Sequence, residues 1–159
     1  MTRHTHRGTG ERRGLFMWLQ SLAPQILGIT RILVGVLMMC HGAQKVFGAF
    51  GGPPAGAPAV VVWIAGPIEL VGGALLAAGL IARGAAFLLS GLMAFAYVIG
   101  HAGGGFWPIL NGGELAIAYC WVTLYVAAHG PGALALDNVR ARREAGTSDE
   151  PAGQGVHVM

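Results

Sequence analysis

The chain has 159 residues, of which 54% are hydrophobic and only 11% are charged. A soluble domain usually carries about a quarter charged residues, so this composition is typical of an integral membrane protein. The formal net charge is +3, but most Arg residues lie in the two terminal segments and one short loop, which argues against nucleic-acid binding. The 27 glycines show no collagen period and suit membrane helices, in which small residues let backbones approach closely.

The N-terminal part of the chain predicts a basic segment followed by the first membrane span. Residues 1–24 form the basic segment, and its short apolar run at 15–22 is compatible with an interfacial helix. The first span covers 25–47, which satisfies the roughly 17–25 residues that a bilayer requires. A Gly/Pro/Ala-rich linker, 48–59, contains no regular element.

Three further apolar segments follow the linker. The second span covers 60–81 and is interrupted at Pro67, a tight turn is predicted at Arg83 and Gly84, and the third span covers 85–101. A loop at 103–113 leads to a fourth span at 114–129. Because these segments lack the alternation of a membrane barrel, the predicted fold is an all-α integral membrane protein with a four-transmembrane-helix bundle.

The distribution of Arg and Lys predicts the orientation of the bundle. Most basic residues precede the first span, follow the fourth, or lie between the second and third. The positive-inside rule therefore puts both termini in the cytoplasm. The domain prediction is a basic cytoplasmic segment at 1–24, a membrane domain at 25–130, and a cytoplasmic, largely disordered tail at 131–159.

Ionisable residues within membrane spans are functional candidates, because even low estimates of their insertion cost are about 2.5–3.5 kcal/mol. With the predicted topology, seven polar residues fall at one level in the outer half of the membrane, whereas Arg31 lies in the inner half. Those at the common level are His41, Lys45, Glu69, Tyr97, His101, Asn111 and Glu114.

A carboxylate, two imidazoles and a phenol at one depth are suited to carbonyl recognition and proton exchange, as in quinone reduction. The alternative is that these groups satisfy one another and only specify helix packing. His41 and His101 are also a possible axial pair for haem. Cys40 and Cys120 either pair in an oxidising compartment or act as small apolar fillers, and no metal site is predicted.

Several stretches together carry a specific pattern that resembles the DoxX family of small bacterial membrane proteins. They are RILVGVLMMCHGAQKVFG (31–48), GPIELVGGALLAAGL (66–80) and AYVIGHAGGGFWPILNGGELAIAY (96–119), followed by Gly130 to Asp137. The resemblance implies a four-helix membrane fold and involvement in redox or respiratory membrane complexes. Relatives are named as subunits of a thiosulfate:quinone oxidoreductase, or as partners of a superoxide dismutase and a sulfurtransferase. The positions carried over are Arg31, His41, Lys45, Glu69, His101, Asn111 and Glu114.

The leading hypothesis is a redox-linked subunit of the bacterial plasma membrane that binds a quinone near the outer leaflet. In this hypothesis the catalytic, proton-handling residues are Glu69, His41 and His101, and the cofactor-binding residues are Arg31, Lys45, Tyr97, Asn111 and Glu114. The chain carries no motif for an electron carrier of its own, so it is expected to be an accessory subunit with other redox subunits as partners. The alternatives are a non-catalytic scaffold or assembly factor for an oxidative-stress complex, and a small solute or proton transporter.

Overall fold

The computed structural model describes residues 16–53 and 55–148, and within them the regular structure is helical, without strands. Residues 1–15 of the predicted basic segment 1–24, and residues 149–159 of the predicted tail, lie outside the described residues. Residues 16–21 are helical and exposed, and a turn at Leu22 joins them to the first long helix. The all-helical fold class predicted from the sequence is confirmed for the described part of the chain.

The first helix, α1 (Ala23–Phe47), has 25 residues and is about 37 Å long at ~1.5 Å per residue. Pro24 occupies its first turn, where a missing N–H costs nothing. The helix ends at Gly48, whose φ of 69° is favourable only for glycine or a few polar residues, and whose N–H bonds to the carbonyl of Ala43.

The second membrane helix begins with a π-helical turn, Val61–Ala65, that continues directly into α2 (Gly66–Ala78). Pro67 lies at the junction, in the first turn of α2. Because proline has no N–H and its ring crowds the preceding turn, the wider π turn is a reasonable accommodation of Pro67 within one continuous helix. Gly79, with φ of 69°, ends α2.

The second half of the bundle contains α3 (Ala82–Gly100), a short α4 (Pro108–Asn111) and α5 (Glu114–His129). The turn between α2 and α3 is formed by Gly79 to Ile81, and Arg83 and Gly84 already lie in the first turn of α3. The predicted turn at Arg83 and Gly84 is therefore wrong by about one helical turn. The reason is that Asp137, from a distant part of the chain, bonds to the N–H groups of Ile81 and Ala82 at 2.9 and 2.8 Å and so starts the helix early.

The helices form two closely packed pairs, α1 with α2 and α3 with α5, whereas α1 and α5 contact each other only sparsely. Glycines spaced seven residues apart line the first interface. A Cβ added at Gly35 would lie 2.5 Å from the Ala77 nitrogen, and one added at Gly73 would lie 2.7 Å from the Gly35 carbonyl oxygen. The two backbones are thus in direct contact, as small residues allow in membrane helices.

Arg31 joins three chain segments at the end of the bundle where α1 begins, which we name the Arg31 end. Its side chain is fully buried. It donates hydrogen bonds to the carbonyls of Leu76 and Ala77 at the end of α2, and to those of Pro131 and Leu134 in the segment after α5. Five fixed N–H donors make arginine suited to collecting carbonyls in this way.

The tail prediction is wrong for one segment, because residues Leu136–Ser148 form a helix, α6. Its start is tied to the bundle: Asp137 donates its N–H to the Gly79 carbonyl at 2.9 Å and caps α3 with its carboxylate. Further along, Arg140 and Glu144 form an exposed pair one turn apart. The polar composition of 131–159 suggested disorder, but these anchoring bonds stabilise a helix that composition alone does not predict.

Three helical segments are long and apolar enough to cross a membrane: Ala23–Phe47, Val61–Ala78 and Ala82–Gly104. Helix α5 is apolar but shorter, with 16 residues, or about 24 Å at ~1.5 Å per residue. Many large apolar side chains of the long helices are exposed, including Ile29, Leu33 and Phe87 at 51 to 68%. Such exposure fits contact with lipid.

Candidate functional site

A cavity of about 270 Å³ lies at the opposite end of the bundle, where α1 ends. Residues of α1, α2, α3 and α5 contribute to it, and we name it the polar cavity. Its apolar walls include Met38 and Met93, while its polar lining consists of His41, Lys45, Glu69, His101 and Tyr119. The volume is close to the lower bound of ~300 Å³ for small-molecule sites, and convergent polar groups on apolar walls are their usual composition.

Glu69 and Lys45 form an ion pair across the α1–α2 interface. The Glu69 residue is 3% exposed, and the Lys45 side chain is 14% exposed. Close approach of the helices positions the pair: a Cβ added at Gly66 would lie 2.9 Å from the Cβ of Lys45. Two charges removed from water are retained only when each compensates the other, so this pair both fixes helix register and supplies a polar wall to the cavity.

His41 lies one turn before Lys45 on α1, and its ring meets that of Tyr119 edge to face at a centroid distance of 6.1 Å. Neither the His41 ring nitrogens nor the Tyr119 hydroxyl makes a hydrogen bond to another described residue. Tyr119 itself is 8% exposed. The polar cavity is therefore lined by an imidazole and a phenol whose hydrogen-bonding capacity is available to a ligand.

His101 ends α3, and its ring forms part of the cavity wall. Its Nδ1 lies 3.1 Å from the main-chain carbonyl oxygen of Asn111. Because a carbonyl oxygen only accepts, Nδ1 carries a proton and donates it in this contact. The Tyr97 ring stacks on His101 at a centroid distance of 6.4 Å.

Asn111 and Tyr97 organise the loop that borders the cavity, without lining it. The Asn111 amide donates to the Gly105 carbonyl at 2.8 Å and to the Tyr97 hydroxyl at 3.4 Å, and its oxygen accepts from the Gly113 N–H at 2.8 Å. The Tyr97 hydroxyl donates to the Phe106 carbonyl at 3.2 Å. These bonds stabilise the loop between α3 and α5. The Asn111 carbonyl in turn fixes the orientation of the His101 ring.

The structure brings together some of the residues singled out from the sequence and separates others. His41, Lys45, Glu69 and His101 line one cavity. Glu114 lies exposed in the first turn of α5, where a carboxylate is favourable beside the helix N-terminus, and it does not line the cavity. Arg31 is at the opposite end of the bundle, and its guanidinium is bonded to main-chain carbonyls.

Sequence reasoning missed Tyr119, which has the only phenol in the lining of the polar cavity. Gly112, Leu115, Ala116 and Tyr119 recur at helical spacing and share one side of α5 and its entry turn. Comparison of the membrane depth of this stripe with the predicted depth of Glu69 would identify Tyr119 as a cavity residue. It was overlooked because aromatic residues in an apolar helix are usually packing residues or interfacial anchors.

Cys40 and Cys120 are both free thiols in the structure. The Cys120 sulfur lies 3.5 Å from the Ser90 hydroxyl, between α5 and α3. Among the described residues, no group of three or more His, Cys, Asp or Glu side chains could hold a metal ion.

Comparison with known proteins identifies one family and one relative. A family model for DoxX matches residues 26–102, which extend from the first turn of α1 to the end of α3. An uncharacterised protein of Haemophilus influenzae is 42% identical over 133 residues, covering 76% of this chain and 94% of that relative. No solved structure matches the chain at a significant level. The chain belongs to the DoxX family of membrane proteins.

Proposed function

We propose that this DoxX-family protein binds a quinone, or a similar small molecule with carbonyl groups, in the polar cavity. The observation that supports the proposal most is that His41 and Tyr119, whose side chains make no hydrogen bond to another described residue, lie beside the Lys45–Glu69 pair in one cavity of about 270 Å³. A quinone presents two carbonyl acceptors on an apolar ring. The cavity offers donors on polar side chains and apolar contact from Met38 and Met93.

The proposed setting is the plasma membrane of a bacterium, with α5 as the fourth span and both termini in the cytoplasm. The excess of Arg in the two terminal segments supports this orientation. The polar cavity then lies in the outer half of the membrane, and the Arg31 end faces the cytoplasm. Although α5 has only 16 residues, the adjoining α4 and loop residues extend the segment towards the outer surface.

The proposed chemistry is carbonyl binding and proton exchange, in which the side chains have separate roles. The Tyr119 hydroxyl donates to one carbonyl oxygen, while His41 and the Nε2 of His101 exchange protons with the ligand. Glu69 holds Lys45 in place through their ion pair. Reduction of a quinone also needs two electrons, which a redox partner subunit has to supply, so the chain acts as an accessory subunit of an oxidoreductase.

Removal of the Tyr119 hydroxyl tests the site without removing the ring. We expect Tyr119→Phe to weaken the binding of a ubiquinone or menaquinone analogue by about three- to tenfold, because one hydrogen bond is lost. Titration of the purified protein in nanodiscs, followed by intrinsic fluorescence, measures this. With a quinone analogue that has no side chain, Tyr125→Phe is the matched control, since Tyr125 is 51% exposed and lies outside the polar cavity. Equal binding by both variants and the wild type would contradict the proposal.

A second candidate function is that of a non-catalytic scaffold or assembly factor for a redox or oxidative-stress complex. The mutual compensation of Lys45 and Glu69 favours it, because such a pair is sufficient to specify helix packing without a ligand. In that case Glu69→Gln changes the yield of the assembled complex, and quinone analogues bind neither the wild type nor the variant.

A further inference from the structure

A second cavity, which we name the apolar groove, lies between the first part of α1 and the last part of α5. It has a volume of about 440 Å³. Its walls include Ile26, Leu27 and Thr30 of α1 and Trp121, Val122 and Tyr125 of α5. Trp121 and Tyr125 are 66% and 51% exposed, so the groove is bordered by large rigid rings on the surface of the bundle.

The polar cavity and the apolar groove succeed each other along the seam between α1 and α5. On α5, Tyr119 lines the first and Val122 the second, about 4.5 Å apart along the helix axis. On α1, Met38 lines the polar cavity and Thr30 lines the apolar groove, about 12 Å apart along the helix axis. The backbones of α1 and α5 approach each other only sparsely, and Val34 and Met38 of α1 share a buried core cluster with Val126 of α5.

We infer that the natural ligand is an amphiphile, whose carbonyl-bearing head group binds in the polar cavity and whose extended isoprenoid chain lies in the apolar groove. The inference rests on the proposed function, since it takes the head-group site as given. This occupant matches the order of surfaces along the two helices, with polar groups at one end and an apolar channel with aromatic walls at the other. In lipid, packing rather than the hydrophobic effect drives association, and a preformed groove provides that packing for a chain.

The test uses a ring-matched pair of ubiquinone analogues, one without a side chain and one with its full isoprenoid chain. Thr30→Phe fills the groove at a half-buried position on α1. We expect it to weaken binding of the long-chain analogue about tenfold and to leave binding of the chainless analogue unchanged. Ile29→Phe is the matched control: Ile29 is adjacent, β-branched, 51% exposed and outside both cavities. Binding is measured in nanodiscs of one lipid composition.

Val122→Phe narrows the groove from the opposite wall and guards against a folding defect in the first variant. Retained binding of the chainless analogue shows that each variant is folded. If both groove variants bind the long-chain analogue as the wild type does, the inference is wrong while the head-group site stands. Dissociation of a dimer by Thr30→Phe, with unchanged binding of both analogues, would assign the groove to a second copy of the chain. If the wild type binds neither analogue, the proposed function fails as well.

Discussion

At the residue scale, the Lys45–Glu69 pair is the feature on which both the fold and the proposed site depend. The two side chains link α1 to α2 and are almost completely removed from solvent. A buried ion pair gives little net stability, but loss of one partner leaves an uncompensated charge in a medium of low polarity. Single and double mutation of the pair can therefore separate its contribution to stability from its proposed contribution to ligand binding.

Glu69→Gln should lower the free energy of unfolding by about 3–5 kcal/mol, because Lys45 is left without a counter-charge. Replacement of both residues, Lys45→Met with Glu69→Leu, should recover most of that loss. Unfolding in mixed micelles with increasing SDS, followed by tryptophan fluorescence, measures both. A double variant as unstable as the single one, or a single variant as stable as the wild type, would show that the pair is not a compensated buried pair.

At the element scale, close contact of α1 with α2 is what brings Lys45 to Glu69. Gly28, Gly35 and Gly42 alternate with Arg31, Met38 and Lys45 along one side of α1, each set at a spacing of seven. The glycines let α2 and the segment after α5 approach the α1 backbone, and the longer side chains reach past them. Arg31 reaches main-chain carbonyls at one end of this stripe, and Lys45 reaches Glu69 at the other.

Gly35→Ala should destabilise the protein by about 1–3 kcal/mol, since the added methyl group would collide with the main chain of Ala77 and Gly73. Gly91→Ala is the matched control, because a Cβ at Gly91 meets no atom within 4 Å. The control should be neutral or slightly stabilising, as alanine favours helix more than glycine does. The same SDS titration compares the two, and equal effects would rule out close packing as the reason for Gly35.

Hydropathy and topology were sufficient to predict which helix ends meet, because an antiparallel bundle fixes the level of each residue. This reasoning predicts one common level for four residues that line the polar cavity in the structure, His41, Lys45, Glu69 and His101. The interactions of Arg31 and Asn111 were not predictable, since both side chains bond to main-chain carbonyls of loops whose path depends on the tertiary structure. The same limit applies to α6, because Asp137 anchors its first turn to the α2–α3 turn.

At the scale of the whole molecule, the two helix pairs differ from the seam between them in how tightly they are packed. The α1–α2 pair is closed by glycines, and α3–α5 is also extensively packed, whereas backbone contact between α1 and α5 is sparse. The apolar groove lies between these two helices, and the polar cavity is lined by them together with α2 and α3. The Arg31 end is tied together by hydrogen bonds that Arg31 and Arg83 donate and by those that the Asp137 carboxylate accepts. The proposed ligand therefore lies where the backbones of α1 and α5 are not in close contact.

The most direct test of the central claim is mass spectrometry of the small molecules that copurify with the protein in nanodiscs. We expect stoichiometric quinone with the wild type and with Glu114→Gln, because Glu114 is exposed and outside the polar cavity. We expect none with Glu69→Gln or with the more stable Lys45→Met, Glu69→Leu double variant. A folded wild type that retains neither quinone nor haem would contradict the account and favour the scaffold function.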